Sequence, residues 1–338
     1  MVKKSYNLAV APDRNGTGVM TFDAAAVSSG LAYLVSELEK KDPSLREPLT
    51  SFNYPRDIVV ESGGGWVEAT SAMNVNYAVT GGKADAVGGV QNSIRRIQAD
   101  FSKDLYKVLP YEAGMSVKIQ DQLRGAVTGR SIEQVYDDGI RLDYNKYLDI
   151  NTYLGQSLYG TTGLVNDPTV IASSVTTGAS GKTQFINKTP QEILIDFNNM
   201  IVAGWTAAQF DNAAIINHVL MPPSQFAYLN QTVLSVAGTI GGISLLNYLL
   251  ANNIAKAKGI DLFIGESRFL IGAGAGGTDR MIGYVNDRRF IGMDLPVPLS
   301  RIMTQPNVDH ASYDSLYMGN VGQVKIHYYE PIRYYDGI

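Results

Sequence analysis

The sequence predicts an α+β fold with two or more domains. Short β-prone runs broken by glycine fill residues 54–110, a long helical pattern begins at Ser131, and a block of shorter helices and strands begins at Thr189. The 34 glycines and 20 tyrosines favour strands, turns and aromatic contact surfaces over a helical bundle. The chain has 338 residues, 45% of them hydrophobic, and a single core usually splits into domains beyond roughly 250–300 residues.

The composition argues against several classes of protein. The net charge is −4 and no run is rich in Lys and Arg, which argues against a protein that reads nucleic-acid sequence. Cysteine is absent, so disulfides, thiolate nucleophiles and cysteine-ligated metals are excluded. The three histidines, His218, His310 and His327, lie far apart, and we expect no metal and no cofactor. No apolar run reaches the roughly 18 residues of a membrane span, and residues 1–8 do not resemble a signal peptide, so we expect no membrane contact.

Residues 1–53 predict an N-terminal arm. Residues 1–30 alternate small and polar side chains with weak periodicity, and residues 31–40 fit a short amphipathic helix that stops at Pro43. A segment with so little apolar periodicity is not expected to form a core of its own.

Residues 54–110 predict a long, projecting β-hairpin. Glycines at 63–65, 81–82 and 88–89 separate the β-prone runs and mark turns and bends. The segment has few large aliphatic side chains for its length and cannot close a core. We therefore expect Trp66, Tyr77, Ile94 and Ile97 to pack on an adjacent subunit.

Residues 131–159 predict one long helix. Ser131 and Gln134 fit a capping box, and apolar or aromatic residues then recur at helical spacing as far as Leu158. Gly160 is expected to end the helix, which would then be roughly 42 Å long. A rod of this length would serve as a spine.

Residues 189–286 predict a second α/β block. Thr189, Pro190 and Glu192 carry the pattern of a capped helix start. A buried strand is expected within 212–221, a helix over 244–258, and strands at 260–265 and 281–285. From about residue 287 the chain becomes β-rich again, so we expect 287–338 to return to the domain begun by 111–188.

One glycine motif has the spacing of a nucleotide-binding loop. Gly272, Gly274 and Gly277 satisfy the dinucleotide pattern G-x-G-x-x-G, but the following residues 278–285 predict a strand, where a dinucleotide fold would begin a helix. We interpret the motif as a flexible loop, and a nucleotide-dependent enzyme stays as a remote alternative. His218 lies in an apolar run typical of a hydrogen-bonded core histidine, and Asp137 with Arg141 fits a solvated ion pair on a helix. No catalytic group is apparent.

Three stretches carry a resemblance to a known family. In residues 131–170 a long helix runs into the exit Gly-Leu-Val-Asn-Asp-Pro at 163–168. Residues 219–229 read as a strand entering a short helix, and residues 324–338 as a closing strand. Together with the order of parts, these stretches resemble the major capsid proteins of tailed bacteriophages, which have the Hong Kong 97-type fold. The resemblance implies an N-terminal arm (1–53), an E-loop hairpin (54–110), a P-domain (111–188 and 287–338) with its spine helix (131–159), and an A-domain (189–286).

The resemblance also implies a function. The protein would be structural and not an enzyme, and would self-assemble as pentamers and hexamers into an icosahedral or prolate shell around the double-stranded DNA of a tailed phage. It would contact that DNA non-specifically, use separate scaffolding, portal or decoration proteins, and assemble in the bacterial cytoplasm into the virion. Encapsulin nanocompartments share the fold and are the alternative. Some relatives cross-link an E-loop lysine to an asparagine of a neighbour, for which Lys83 and Asn320 are the nearest candidates.

Overall fold

The computed structural model describes residues 48, 50–80, 96–129, 131–234 and 242–338. The predicted helix at 31–40 and nearly all of the predicted arm (1–53) lie outside the described residues. Within them, the α-helices are α1 (Tyr54–Asp57), α2 (Ile119–Thr128), α3 (Ile132–Tyr153), α4 (Pro190–Ala207), α5 (Pro223–Gln231), α6 (Leu245–Ala251) and α7 (Ile254–Ala257). None of these helices combines the length and the apolar character that a membrane span requires.

The strands of the described residues form four sheets. They are β1 (Val60–Ser62), β2 (Ala69–Thr80), β3 (Arg96–Lys118), β4 (Ile171–Ser174), β5 (His218–Met221), β6 (Val233–Leu234), β7 (Ile243–Ser244), β8 (Phe263–Glu266), β9 (Arg280–Tyr284), β10 (Ile291–Leu295), β11 (Val297–Asn307), β12 (Ser312–Gly322), β13 (Val324–Ile326) and β14 (Arg333–Asp336). The strand orders are β1-β10-β13, β11-β12-β3-β2, β4-β14-β9-β5-β8 and β6-β7. All of these sheets except β6-β7 therefore bring together strands that are distant in sequence.

Strand β3 is 23 residues long and connects the projecting and the central parts of the chain. Its first part pairs antiparallel with β2 as far as the pair Thr80–Arg96. Its second part pairs with β12, from Val108 to Lys118. We call β2 together with residues 96–107 of β3 the ribbon.

The predicted hairpin boundary of 54–110 is wrong at its start. The paired part begins at Ala69, whereas residues 54–62 belong to the core. Helix α1 packs against α3, and β1 pairs in parallel with β10. Ile58 is buried. The difference arises because the short apolar run at 58–60 finds partners on strands more than 200 residues later in the chain, which local pattern does not reveal.

The long helix is shorter than the predicted range of 131–159. Ser131 caps it by accepting a hydrogen bond from the Gln134 N–H, but it ends at Tyr153 after 22 residues, about 33 Å. Residues 161–165 fold back onto its last turn, where the Val165 N–H donates to the Tyr153 carbonyl. Gly155 follows with φ +67°, a left-handed conformation that favours glycine.

The second block differs from its prediction mainly at one helix. The capping box at Thr189 is present, with reciprocal bonds between Thr189 and Glu192. The helix predicted at 244–258 is divided into α6 and α7 because the Asn253 side chain ends one and starts the other. Its amide donates to the Leu249 carbonyl and its oxygen accepts from the Lys256 N–H.

Two hydrophobic cores lie on opposite faces of the five-stranded sheet. On β9, Ile282 and Tyr284 point into the core that contains α3, whereas Met281 points into the core that contains α4. The predicted division at residue 286 runs through this sheet, because β14 lies between β4 and β9. Residues 53–338 form one compact unit, so the A-domain and P-domain boundaries stay a prediction.

Candidate assembly interface

The ribbon has one apolar and one polar face. Residues directly opposite each other in an antiparallel pair point to the same side, and Val75 is opposite Phe101, while Ser71 is opposite Leu105. The large apolar side chains of the ribbon that share this face are Met73, Val75, Tyr77, Ile97, Phe101 and Leu105. Each of them is between 41% and 74% exposed in the single chain. The ribbon therefore presents a largely apolar surface to its surroundings, interrupted by the exposed Lys103 opposite Met73.

The opposite face of the ribbon is polar. Asn76 lies opposite Asp100, and the Asn74 amide donates to the Asp104 carboxylate at 2.6 Å. Such a face is satisfied by water and needs no protein partner. An isolated two-stranded hairpin is only marginally stable in water, so burial of the apolar face would also stabilise the ribbon itself.

The structure places the predicted contact residues unevenly. Trp66, in the loop before β2, and Tyr77 and Ile97, on the apolar face, are all exposed. Lys83 and Ile94 lie outside the described residues. Met73, Val75, Phe101 and Leu105 complete the face and were not predicted, although the alternation Met73, Val75, Tyr77 is a signal in the sequence that could have identified them.

Asn320, the residue paired with Lys83 as a cross-link candidate, is buried within its own subunit. It lies on β12 with 5% of its surface exposed, and its amide donates to the Val67 carbonyl at 3.1 Å. A side chain held in this way is poorly placed to react with a neighbouring subunit.

A buried polar junction joins α1 and α3 to the five-stranded sheet. The Asp57 carboxylate is fully buried. It accepts hydrogen bonds from Arg56 at 2.6 Å and from the Tyr153 hydroxyl, and it lies 3.2 Å from the His218 Nε2. Burial alone would raise the pKa of Asp57, but the bonds from His218, Arg56 and Tyr153 outweigh it and the pKa is lowered. His218 is the hydrogen-bonded core histidine that the sequence predicts.

Asp149 of α3 holds the start of α1 in this junction. Its carboxylate accepts from the backbone N–H groups of Asn53 and Tyr54 at 3.0 and 3.2 Å, and Arg268 lies 3.3 Å away. Burial raises the pKa of Asp149 despite these partners. The titratable groups of the junction are thus occupied by structural contacts, and none is arranged as a nucleophile beside a base.

The glycine motif at 272–277 is not arranged to hold a phosphate. Only a short 3₁₀ turn (Ala275–Gly277) precedes β9, so no helix starts there. The Gly272 N–H donates to Asp279 at 3.1 Å and the Ala275 N–H to Asp336 at 2.9 Å. Carboxylates therefore occupy backbone donors that a pyrophosphate would need, and they would repel it. In the part of the chain that the structure describes, no group of three or more His, Asp or Glu side chains could hold a metal ion.

A groove of about 660 Å³ lies beside the ribbon. Met73, Gln209, Arg288, Arg289 and Tyr328 are among the residues that line it. Both arginines form ion pairs, Arg288 with Glu61 and Arg289 with Asp287. The groove thus offers a mixed surface next to the apolar face, with both of these arginines already paired.

Comparison by sequence identifies one family. The profile of the major capsid protein family matches residues 82–338 of the chain, which is more than half of its length. Among curated protein sequences, none is significantly similar to the chain.

Several solved structures are similar in fold. A chain from the capsid of Myoviridae phage XM1 is 18% identical with a TM-score of 0.71, and the match covers 90% of this chain and 98% of that one. A chain from the capsid of a native GTA particle is 12% identical with a TM-score of 0.61, covering 94% and 99%. A chain of Microbacterium phage Oxtober96 is 12% identical with a TM-score of 0.57, covering 91% and 98%. At these identities the similarity shows a shared fold.

Proposed function

The chain belongs to the major capsid protein family, and from this premise we propose that its copies assemble into the icosahedral or prolate shell of a tailed phage, around double-stranded DNA. The family match and the fold shared with phage capsid chains support this role. They do not favour the alternatives of an encapsulin-like compartment or a nucleotide-dependent enzyme. The occupied backbone donors at 272–277 also speak against the enzyme.

The observation that carries the proposal is the apolar face of the ribbon. It lies on a two-stranded projection, so it has no core of its own to enter. Burial on a neighbouring copy would gain about 25 cal/mol per Å² of apolar surface. A modest contact of this kind, repeated at every copy, sums to high avidity while each single contact stays reversible enough to correct wrong geometries.

The partners follow from the same role. The copies form pentamers and hexamers of the shell, and separate scaffolding, portal or decoration proteins complete it. With a net charge of −4, the protein contacts packaged DNA without sequence-directed binding. Assembly takes place in the cytoplasm of the bacterial host, and the product is the capsid of the virion. The protein has no catalytic role, cofactor or membrane contact.

Self-assembly of the purified full chain tests the proposal. Light scattering and negative-stain microscopy should show rings, tubes or closed shells, with the chain alone or with an added scaffolding protein. A strictly monomeric species at every protein and salt concentration, with and without that scaffold, would contradict the proposed function.

A further inference from the structure

Three charged side chains share one face of the sheet formed by β1, β10 and β13. Lys325 lies opposite Gly292, two residues before Asp294 on β10, and Glu61 lies opposite Asp294. Register partners, and residues two positions apart on one strand, point to the same side of a sheet. Lys325, Asp294 and Glu61 therefore share a face. The residues that alternate with them enter the hydrophobic core on the other face: Met293, Val324 and Ile326.

The Lys325 ammonium and the Asp294 carboxylate are in contact and largely removed from water. The Nζ of Lys325 forms an ion pair with the Oδ2 of Asp294, and the two side chains are only 10% and 18% exposed. The ring of Tyr106 lies over the ammonium, with its centre 5.5 Å from Nζ. Two charges in such a place carry a desolvation cost that an uncharged amide in the same place avoids.

The surroundings also place the two groups for a reaction with each other. The carboxyl carbon of Asp294 lies one bond beyond the oxygen that Lys325 contacts, and holding two reactants together in this way lowers the barrier between them. The ring of His327 packs against Tyr106 as well, with the ring centres 6.2 Å apart. Burial lowers the pKa of His327, and the charge on Lys325 lowers it further. The imidazole is therefore neutral at pH 7 and available to carry a proton.

We propose that Lys325 and Asp294 condense into an isopeptide bond within each subunit. The ammonium first transfers a proton to the carboxylate that it contacts. The neutral amine then forms a bond from Nζ to Cγ, the bond from Cγ to Oδ2 breaks, and Oδ2 leaves with two protons as water. No oxidant, reductant or other reactant is consumed. The reaction happens once in each chain, so it is not enzymatic turnover.

The bond ties the central sheet together at the end of the ribbon. Tyr106, which lies over the pair, is on β3 where the ribbon meets the central part of the chain. The bond closes a loop that contains β11 and β12, and a covalent link of this kind constrains the unfolded chain. Both partners belong to one chain, so the bond differs from a cross-link between subunits. The inference goes beyond the proposed shell function and does not depend on it.

Mass spectrometry of the soluble full chain under denaturing conditions tests the proposal. The wild type should be lighter than its sequence by the mass of one water molecule. Trypsin cannot cut after an acylated lysine, so its digest should contain residues 290–301 joined to residues 302–333. Without the bond, the digest contains residues 290–301 and 302–325 as separate peptides.

Lys325→Arg and Asp294→Ala should both restore the full mass, the first while keeping a positive charge beside Asp294. Lys256→Arg is the matched control, because Lys256 contacts Asp261 at 2.5 Å in a pair whose side chains are 53% and 88% exposed. This variant should still lose one water.

Two results would overturn the proposal. One is a wild type that has the full mass of its sequence and separate peptides. The other is a loss of water that maps to a different pair, such as the buried Lys188 and Asp196. Because the wild type alone gives both readings, a variant that fails to fold leaves the test intact. Assembly of shells has no part in the readout, so failure of this inference leaves the proposed function untouched.

Discussion

The junction around Asp57 and the projecting ribbon differ in which groups they bury and which they expose. In the junction, charged groups lie inside the protein, and Asp57 is held by Arg56, Tyr153 and His218 of its own chain. In the ribbon, apolar groups such as Phe101 lie outside. The first region is complete in one subunit, whereas the proposed function requires a second subunit to cover the apolar face of the other. Substitutions in the junction should therefore change folding, and substitutions in the ribbon should change assembly.

Removal of the ribbon should have the largest effect on assembly. Replacing residues 72–104 by Asn-Gly leaves Ser71 opposite Leu105, joined by a two-residue turn suited to a hairpin. Changes of loop length cost only about 0.6 kcal/mol per doubling, so the subunit should stay soluble and melt cooperatively by circular dichroism. Light scattering should detect no rings and no shells.

Substitutions on the polar face give the control for this deletion. Asn76→Thr with Asp100→Thr changes one cross-strand pair on the side that needs no partner, and this variant should assemble as the wild type does. Normal assembly of the deletion would show that the ribbon is dispensable. An insoluble or molten deletion would show that it belongs to the core.

Loss of Asp57 should give the largest effect on folding. Asp57→Ala leaves Tyr153 and His218 with buried, unpaired polar atoms, and removal of one partner of a buried pair costs about 3–5 kcal/mol. Urea unfolding of the unassembled subunit measures the change. Asp261→Ala removes an exposed carboxylate paired with Lys256 and should leave the unfolding free energy nearly unchanged. Equal effects of the two variants would refute the structural role of the junction.

A methyl group at Gly163 should lower the free energy of unfolding by a smaller but measurable amount. Its Cβ would lie 2.3 Å from the backbone carbon of Tyr153, where nothing flexible can move aside, and overpacking costs about 1–3 kcal/mol. Gly139→Ala, within the long helix α3 and with nothing within 4 Å of the new Cβ, should instead gain up to about 1 kcal/mol. Urea unfolding distinguishes the two signs, and a neutral Gly163→Ala would contradict the close packing of residues 161–165 on the helix end.

The contributions of the two buried carboxylates of the junction to stability should change with pH in opposite directions. The pKa of Asp57 is lowered from its usual 3.8, so its contribution is present above that value and is lost as the pH falls through the folded-state pKa. The pKa of Asp149 is raised above 3.8, so the wild type gains stability as this group is protonated. As the pH falls from 7 to 3, the difference in unfolding free energy between the wild type and Asp57→Asn should shrink. The corresponding difference between the wild type and Asp149→Asn should grow. Parallel changes would contradict this assignment.

Features fixed by neighbours in sequence could be predicted, and features fixed by distant contacts could not. The capping box at Thr189 and the core position of His218 follow from local pattern. The end of the long helix does not, because apolar spacing continues to Leu158 while residues 161–165 turn the chain back at Gly155.

The same distinction applies to the interface. The glycine-broken runs predict a projecting hairpin, but only the pairing of β2 with β3 shows that Phe101 and Leu105 share a face with Tyr77. Helix α2 was not predicted, since Lys118 at its N-cap position provides no capping side chain and its apolar residues Leu123 and Val127 are exposed and do not face a core. Under the proposed function the surface that covers these groups lies on a second copy, so local patterns in the sequence cannot identify it.

The most direct test of the central claim is the reactivity of Met73 towards oxidation, before and after assembly. Met73 is 74% exposed in the single chain, whereas Met200 is fully buried and gives the rate of a protected methionine. Mass spectrometry of peptides after brief peroxide treatment measures both. If the apolar face of the ribbon joins subunits, the oxidation rate of Met73 should fall towards that of Met200 in assembled shells. A Met73 that reacts equally fast in shells and in unassembled subunits would contradict the account.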